Sequence, residues 1–467
     1  MPNSSEQFNT YSEKEAQGEA SKMQEKIATG KAEDYSEAER QVEAEKKYDP
    51  KSEYHVDLEN PEVKEKIEEA QKLYREFLQE NFERFDLSNE QSIEDVYNKA
   101  LETGVFDKAE EIRELIFGKD MHFYGVSYLW DACVNHCHYC PGSVPNRAKA
   151  IKEGKEFPLR ELSVPQAVED TKAVMKDGHK HVCYLTGSTP SIDKYPDKII
   201  PYLTSVIEET KDDGLKEIIL NVEPLTEDGF RKVAEAVKAV NERLGTNVSL
   251  QFRVFQETYN RETYKQMHPK GPKADYDFRI ESQARALRAG VDNVGLGALF
   301  GLNKLPFEEI EGLRQHAERL EKESGKAPAR ICLPSANELE NIGVEIPYFI
   351  KRGIYNAGRK ELTEKGHYEK FDELIYALSR LAMPKINIVS SERDGEAMLE
   401  ILDKYATCST LNVHPGVGDN ARLFPKQEKD EFSNVHFEQT TTFPRDPKST
   451  LEKMKQRGYN PILGEIK

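Results

Sequence analysis

From Met121 onward the chain alternates short β-rich runs with amphipathic runs of helical length, and this alternation restricts the fold more than any other feature. The β-rich runs cover 122–130, 181–186, 217–222, 248–255, 293–298, 330–333, 386–390 and 407–413. Helical runs lie between most of them, at 164–175, 198–209, 227–244, 277–288, 307–323, 371–382 and 396–405. Successive strands joined by helix-length crossovers pair in parallel, whereas antiparallel neighbours need only a tight turn. Eight such strands predict an α/β fold of the TIM type, a closed (β/α)8 barrel. In these barrels chemistry sits at the C-terminal ends of the strands, so polar residues there are the candidates.

The first part of the chain is different. Residues 61–118 read as a helical extension, with amphipathic helix over 63–82 and again over 93–117, the second capped by Ser92. Residues 1–60 contain five Leu, Ile, Val or Phe, and 15 acidic against 8 basic residues. Such a segment cannot bury enough apolar surface to offset its ordering entropy, and it is predicted to be a disordered acidic tail. The rest divides into a barrel core, 119–345, and a part completing the barrel, 346–467. A net charge of −18 argues against nucleic-acid binding, which needs a cationic face, and against an anionic membrane surface. No apolar run approaches the ~18 residues that would span a bilayer. The start MPNSSEQFNT has neither the basic nor the apolar region of a secretory signal, so the expectation is a cytoplasmic protein.

Six cysteines in 467 residues are too few for a disulfide scaffold, yet three of them fall within eight residues. Cys133-Val-Asn-His-Cys137-His-Tyr-Cys140 follows the first β-rich run with the spacing CxxxCxxC. Thiolates are soft ligands suited to zinc or to iron–sulfur clusters. Zinc usually takes a fourth ligand, which His136 or His138 can supply. A [4Fe-4S] cluster held by three cysteines leaves one iron with an open position, and an open position serves chemistry rather than structure. Inert buried thiols are the remaining option. Cys183, Cys332 and Cys408 stand alone on β-rich runs and read as small apolar packing groups.

The pattern CxxxCx(Tyr)C after the first strand resembles the radical S-adenosylmethionine (SAM) superfamily. The resemblance implies that Cys133, Cys137 and Cys140 ligate a [4Fe-4S] cluster whose open iron binds SAM, and that reduction yields a 5′-deoxyadenosyl radical. It further implies that Tyr139 contacts the adenine and that Thr186, Gly187 and Ser188 lie at the SAM amino group. A reductant such as flavodoxin or ferredoxin is the implied partner. Gln256-Glu-Thr-Tyr-Asn-Arg-Glu-Thr-Tyr264, His268-Pro-Lys-Gly-Pro-Lys-Ala-Asp-Tyr276 and Ala289-Gly-Val-Asp-Asn-Val-Gly-Leu-Gly-Ala-Leu-Phe-Gly301 are similar to the aromatic amino acid lyase branch. That branch holds the tyrosine lyases called 2-iminoacetate synthases, the tyrosine lyase of [FeFe]-hydrogenase maturation and a tryptophan lyase, with biotin synthase-like proteins as further relatives. Residues 346–467 resemble their biotin and thiamin synthesis-associated region. The implied reaction is Cα–Cβ cleavage of an aromatic amino acid, giving 2-iminoacetate and p-cresol from tyrosine. Gln256 and Glu257 are then candidate catalytic residues at the barrel top.

The chain departs from the branch at several positions. Ser188 stands where relatives commonly carry a glutamate, and Glu223, after the third strand, is a candidate replacement for the SAM ammonium. The segment Leu333-Pro334-Ser335-Ala336-Asn337-Glu338 lacks the arginines relatives place after the sixth strand, which leaves Arg393 as the anchor for a substrate carboxylate. Gly295, Gly297 and Gly301 allow either close approach of a ligand or a tight turn. The loop Asn412–Asn420, with His414 and Asp419, reads as a lid or as an ordinary turn. Only Cys408 follows Cys332, so the second cluster of the hydrogenase maturase cannot form in the same way. Two other readings stand beside the lyase: a radical SAM reaction on a different small molecule of cofactor biosynthesis, and a noncatalytic metal-binding scaffold.

Overall fold

In the computed structural model, which describes residues 54–154, 159–335, 354–356, 361–364, 366–392, 396–424 and 445–463, each β-rich run becomes a parallel strand. These are β1 (Asp120–Trp130), β2 (His181–Thr186), β3 (Glu217–Asn221), β4 (Ser249–Arg253), β5 (Asn293–Gly297), β6 (Arg330–Cys332), β7 (Asn387–Ser390) and β8 (Cys408–Thr410). Each pairs with the next in sequence, and β8 returns to β1 through His122–Cys408, Phe123–Ser409 and Tyr124–Thr410, which closes the barrel. Closure leaves every strand except the ends of β1 without a free edge, so the backbone polar groups are satisfied within one cylinder.

Two strand elements have no counterpart in the sequence reading. A three-residue strand, β9 (Asn460–Ile462), pairs in parallel with Asp120–His122 at the start of β1. An antiparallel hairpin joins Ile354–Asn356 to Glu361–Glu364. Segments this short show no readable alternation.

The helical extension is shorter-jointed than its periodicity suggests. Pro61–Asn81 is one helix, with Asn60 accepting from the Glu62 N–H at 2.9 Å and with Pro61 in the first turn, where its missing N–H costs nothing. The stretch 93–117 is two helices, Glu90–Glu102 and Val105–Phe117, parted at Thr103-Gly104. Asn89, not Ser92, caps the first of these, accepting from the Gln91 N–H. Three residues of the stretch read as tail also join the body: Tyr54 packs edge-on against Phe117 at 5.5 Å, and Val56 and Leu58 lie against the core.

The three helices cover His367–Ala382, the helix before β7, of which all but His367 and Lys370 are buried. A helix buried on nearly all sides must satisfy its polar residues internally. Arg380 donates to the carbonyls of Tyr405, Pro384 and Ile386, while Glu373 accepts from the hydroxyls of Tyr97 and Tyr405. Phe85, Phe307 and Phe371 fill the joint, with centroids 5.6 Å apart at both contacts of Phe85. No helix among the described residues is long and apolar enough to cross a membrane.

The barrel interior is polar in one layer. Arg330 of β6 donates both contacts of one terminal nitrogen to Glu217 of β3 at 3.0 Å. The His181 ring lies 2.9 Å from the same carboxylate, and Gln251 links it at 3.3 Å to Asn293, itself 2.6 Å from Gln251. Burial opposes the Glu217 charge, but Arg330 and His181 outweigh it and hold the carboxyl far below its ordinary range. Its folded pKa is depressed, so its contribution to stability is complete above the unfolded value of ~4.3 and declines as pH falls below it. Glu217→Gln leaves a buried guanidinium without its counter-charge. It should cost about 3–5 kcal/mol of unfolding free energy, seen as a lower urea midpoint, with most of the loss recovered in Glu217→Met/Arg330→Met. A single variant with the wild-type midpoint would refute this role for the pair.

Candidate functional site

The three clustered cysteines lie in the loop that leaves the C-terminal end of β1. None of the six cysteines forms a disulfide. The loop is held by its backbone. His136 and His138 donate their N–H groups to the carbonyls of Lys270 and Met267, and Val134 donates to Ser188. Asn146 donates to the carbonyls of His138 and Cys140, both at 2.9 Å, and Arg147 to those of Gly142 and Cys133, also at 2.9 Å. Asn135 is the central tie. Its amide nitrogen lies 2.7 Å from the Ser188 hydroxyl and 3.7 Å from the Cys133 sulfur, while its oxygen accepts from the Lys273 N–H at 2.9 Å.

Two glycines let the neighbouring backbones come this close. A Cβ at Gly187 would stand 2.1 Å from the Ala132 carbonyl oxygen. Gly271 has φ of +101°, and a Cβ there would stand 2.5 Å from the Asn135 amide oxygen. Gly187 thus serves contact between the β2 end and the cysteine loop. The adjoining Thr186 hydroxyl is 2.5 Å from that of Tyr195, and Ser188 is spent on Asn135.

Among the described residues no three His, Cys, Asp or Glu side chains are gathered as a formed metal site. The thiols are nevertheless near enough to feel one another. Burial pushes Cys137 up to about 11, with Lys273 opposing and Cys133 adding to the rise. Burial, Cys137 and Cys133 together push Cys140 higher still. A cation at this loop would reverse those shifts, since metal ligation takes the thiolate. The donor set therefore fits a soft metal or cluster.

Behind the cysteines, Tyr139 is buried with Cys137, Met267, Leu299 and Leu302. Its hydroxyl lies 2.7 Å from His268 Nε2, and His268 Nδ1 lies 2.8 Å from the Tyr264 carbonyl. Burial holds His268 well below its ordinary pKa, so the ring is neutral; Nδ1 donates to the carbonyl and Nε2 accepts from Tyr139. The structure places Tyr139 in this hydrogen bond, with Lys273 Nζ 5.5 Å above its ring.

Glu257 and Gln256 follow β4. Glu257 has φ of +71°, an uncommon conformation for a residue with a side chain, and it is held by a close ion pair with Lys273 and by Arg279 at 3.6 Å. Gln256 is buried, and its amide nitrogen has no hydrogen-bond partner among the described residues. Glu223 is buried too. One oxygen accepts from the Thr189 N–H at 2.9 Å and the other has no partner among the described residues, and burial pushes its pKa up to about 7. Buried polar atoms left unpaired are costly, so where two of them lie together at the mouth of the barrel they are candidates to meet a ligand.

Inside the barrel is a cavity of about 60 Å³, lined among others by Tyr124, Asn221, Arg253, Cys332, Glu392 and Thr410. Arg393 lies outside the described residues. Its neighbour Glu392 is fully engaged, accepting from the N–H groups of Asn412 and Val413 at 2.9 and 2.6 Å and from Arg445. The Asn412–Asn420 loop is fastened at both ends. Asn412 donates to Asp177, and Asn420 donates to Asp170 and to the Val126 carbonyl. Its central residues are buried, as a packed closure of the barrel rim. The ties made by Asn135, Asn146, Arg147, His268 and Lys273 were not foreseen as site elements. Their one visible signal was proximity in sequence to the cysteines or to the Gln256–Tyr276 segment.

Residues 127–317 match the family model of the Radical SAM superfamily. The 2-iminoacetate synthase of Escherichia coli K12 is 28% identical over 216 residues, covering 45% of this chain and 50% of that protein. The Salmonella typhimurium LT2 protein of the same name is 29% identical over 199 residues, covering 43% and 46%. The chain spans about half the length of these curated relatives. The crystal structure of HydG, a maturase of the [FeFe]-hydrogenase, superposes with a TM-score of 0.62 at 23% identity, covering 87% of this chain and 80% of that one, a likeness of fold. With the cysteine loop at the mouth of a closed parallel barrel, the chain carries a match to the Radical SAM superfamily over residues 127–317 and is similar to 2-iminoacetate synthases over about half of their length.

Proposed function

We propose that this protein is a radical SAM enzyme that cleaves the Cα–Cβ bond of an aromatic α-amino acid, with tyrosine giving 2-iminoacetate and p-cresol. The observation that carries this reading is the seating of the Gln256–Tyr276 segment, which is similar to the lyase branch, directly on the cysteine loop. Two side-chain contacts seat it, His268 to Tyr139 and the Lys273 N–H to Asn135, and the N–H groups of His136 and His138 add bonds to the Lys270 and Met267 carbonyls; the Lys273–Glu257 pair ties the segment to itself. The names of the curated relatives support the same direction. A [4Fe-4S] cluster held by Cys133, Cys137 and Cys140, with flavodoxin or ferredoxin as reductant, would supply the electron that splits SAM to a 5′-deoxyadenosyl radical.

The chain's own residues then have separate tasks. Asn135, Asn146 and Arg147 fix the cysteine loop before any ligand arrives, so little ordering is left to binding. Glu223 and Gln256 present their unpartnered atoms to SAM, the carboxylate facing its ammonium. The fastened Asn412–Asn420 loop keeps bulk water from a reactive intermediate. Glu257 is a positioning residue, because its carboxylate is already committed to Lys273 and Arg279.

The reading is tested by anaerobic reconstitution, reduction with SAM, and mass spectrometry of products from an amino acid pool. We expect substrate-dependent 5′-deoxyadenosine and p-cresol with tyrosine. Absence of iron–sulfur absorbance and of 5′-deoxyadenosine would overturn the cluster assignment. 5′-Deoxyadenosine that responds only to a non-aromatic compound would overturn the aromatic substrate and leave the radical chemistry. A second test concerns Glu223. Its carboxyl ionises near pH 7, and the charged fraction grows with pH. SAM should therefore bind more tightly to the reconstituted protein at about pH 8 than at about pH 6, by equilibrium dialysis. Glu223→Gln should bind about tenfold more weakly at the higher pH, with a flat profile.

A further inference from the structure

We propose that Arg253 is the anchor for a substrate carboxylate, and that the cavity beneath the site takes the acid end of an α-amino acid. This rests on the lyase reading for where the substrate lies, but on its own geometry for what is bound. Arg253 is the last residue of β4, three positions before Gln256, and its side chain is 2% exposed inside the barrel. It is the only cation lining the 60 Å³ cavity among the described residues, and the one anion there, Glu392, is taken up by Arg445 and backbone N–H groups. By the measure that one buried water needs roughly 10–15 Å³, the space admits a carboxylate head group.

The partners of Arg253 are all neutral. Its Nε and one Nη donate to the Gln251 amide oxygen at 3.2 and 3.0 Å. The other Nη donates to the Tyr124 hydroxyl at 2.8 Å and meets the Cys332 sulfur at 3.8 Å. Sulfur is a weak acceptor, and the five N–H groups of a guanidinium exceed these contacts. The other buried or largely buried arginines are treated differently. Arg330, Arg279 and Arg445 meet carboxylates, and Arg113 and Arg380 are each capped by several backbone carbonyls. No ion pair of Arg253 occurs among the described residues, and a buried charge without a counter-ion is costly. The barrel nevertheless clears room for it. Gly295, its register partner on β5, would place a Cβ 2.9 Å from Arg253 Cγ. A fork of donors with an unused N–H, facing a cavity in which no other free charge lies among the described residues, matches a planar carboxylate.

The test uses reconstituted protein with SAM and compares L-tyrosine with tyramine, which lacks only the carboxylate, by isothermal titration. The remaining proteinogenic L-amino acids are then screened by thermal shift. Wild type should bind at least one L-amino acid, and its decarboxylated amine about a hundredfold more weakly; Arg253→Met should abolish that preference and Arg253→Lys retain part of it. Without ligand, Arg253→Met should match or exceed the wild-type urea midpoint, because it removes an uncompensated charge. A clearly lower midpoint would show that Arg253 is structural and would overturn the proposal. Equal binding of acid and amine by wild type, undiminished preference in Arg253→Met, or no L-amino acid bound at all would also overturn it. Loss of 5′-deoxyadenosine formation in wild type would instead strike the radical SAM lyase reading, since the titration scores carboxylate recognition without turnover.

Discussion

Everything at the working face of this protein depends on three residue pairs between β1 and β8. His122–Cys408, Phe123–Ser409 and Tyr124–Thr410 turn an open parallel sheet into a cylinder. Once the cylinder is closed, the C-terminal ends of all eight strands face one mouth. The cysteine loop after β1 can then touch the turn after β2 and the segment after β4. An open sheet would leave β1 and β8 at opposite edges, with Tyr124 and Thr410 far apart and no walled cavity between them.

The mouth is built by polar ties. Asn135 joins the loops after β1, β2 and β4 with one side chain, and Lys273 answers it from the other side. Glu257, in a left-handed conformation, is locked by two cations. Strain of this kind persists only when surroundings over-determine the backbone. The same region also leaves polar atoms of Glu223 and Gln256 without a partner among the described residues. A rigid frame with a few unmet groups is what a binding site requires, because ordering is complete before the ligand arrives.

The barrel was legible in the sequence because strand and helix repeat with different periods, and each of the eight expected strands is present. The cysteine loop was legible because spacing survives without a structure. What stayed hidden has physical reasons. Asn89 rather than Ser92 caps its helix, since several cap residues lie within one turn of the start. The strand Asn460–Ile462 is too short to alternate. Arg253 lay in plain view on β4, but a charged residue in a strand has no sign of which face it takes or whom it meets. Only the closed barrel shows that Glu217 goes to Arg330 while Arg253 goes to no carboxylate among the described residues.

The Glu217–Arg330 pair has a consequence for how the chain is made. Its partners are 113 residues apart, so at roughly 5–20 residues per second a ribosome delivers Arg330 about 6–23 seconds after Glu217. Through that interval the carboxylate has the His181 ring beside it but not the guanidinium, and it is better kept in water than walled in. The first five strands therefore cannot settle into a dry half-cylinder around it. Nascent chain must hold that face wet until β6 emerges, which makes the barrel's interior a late event in synthesis rather than an early one.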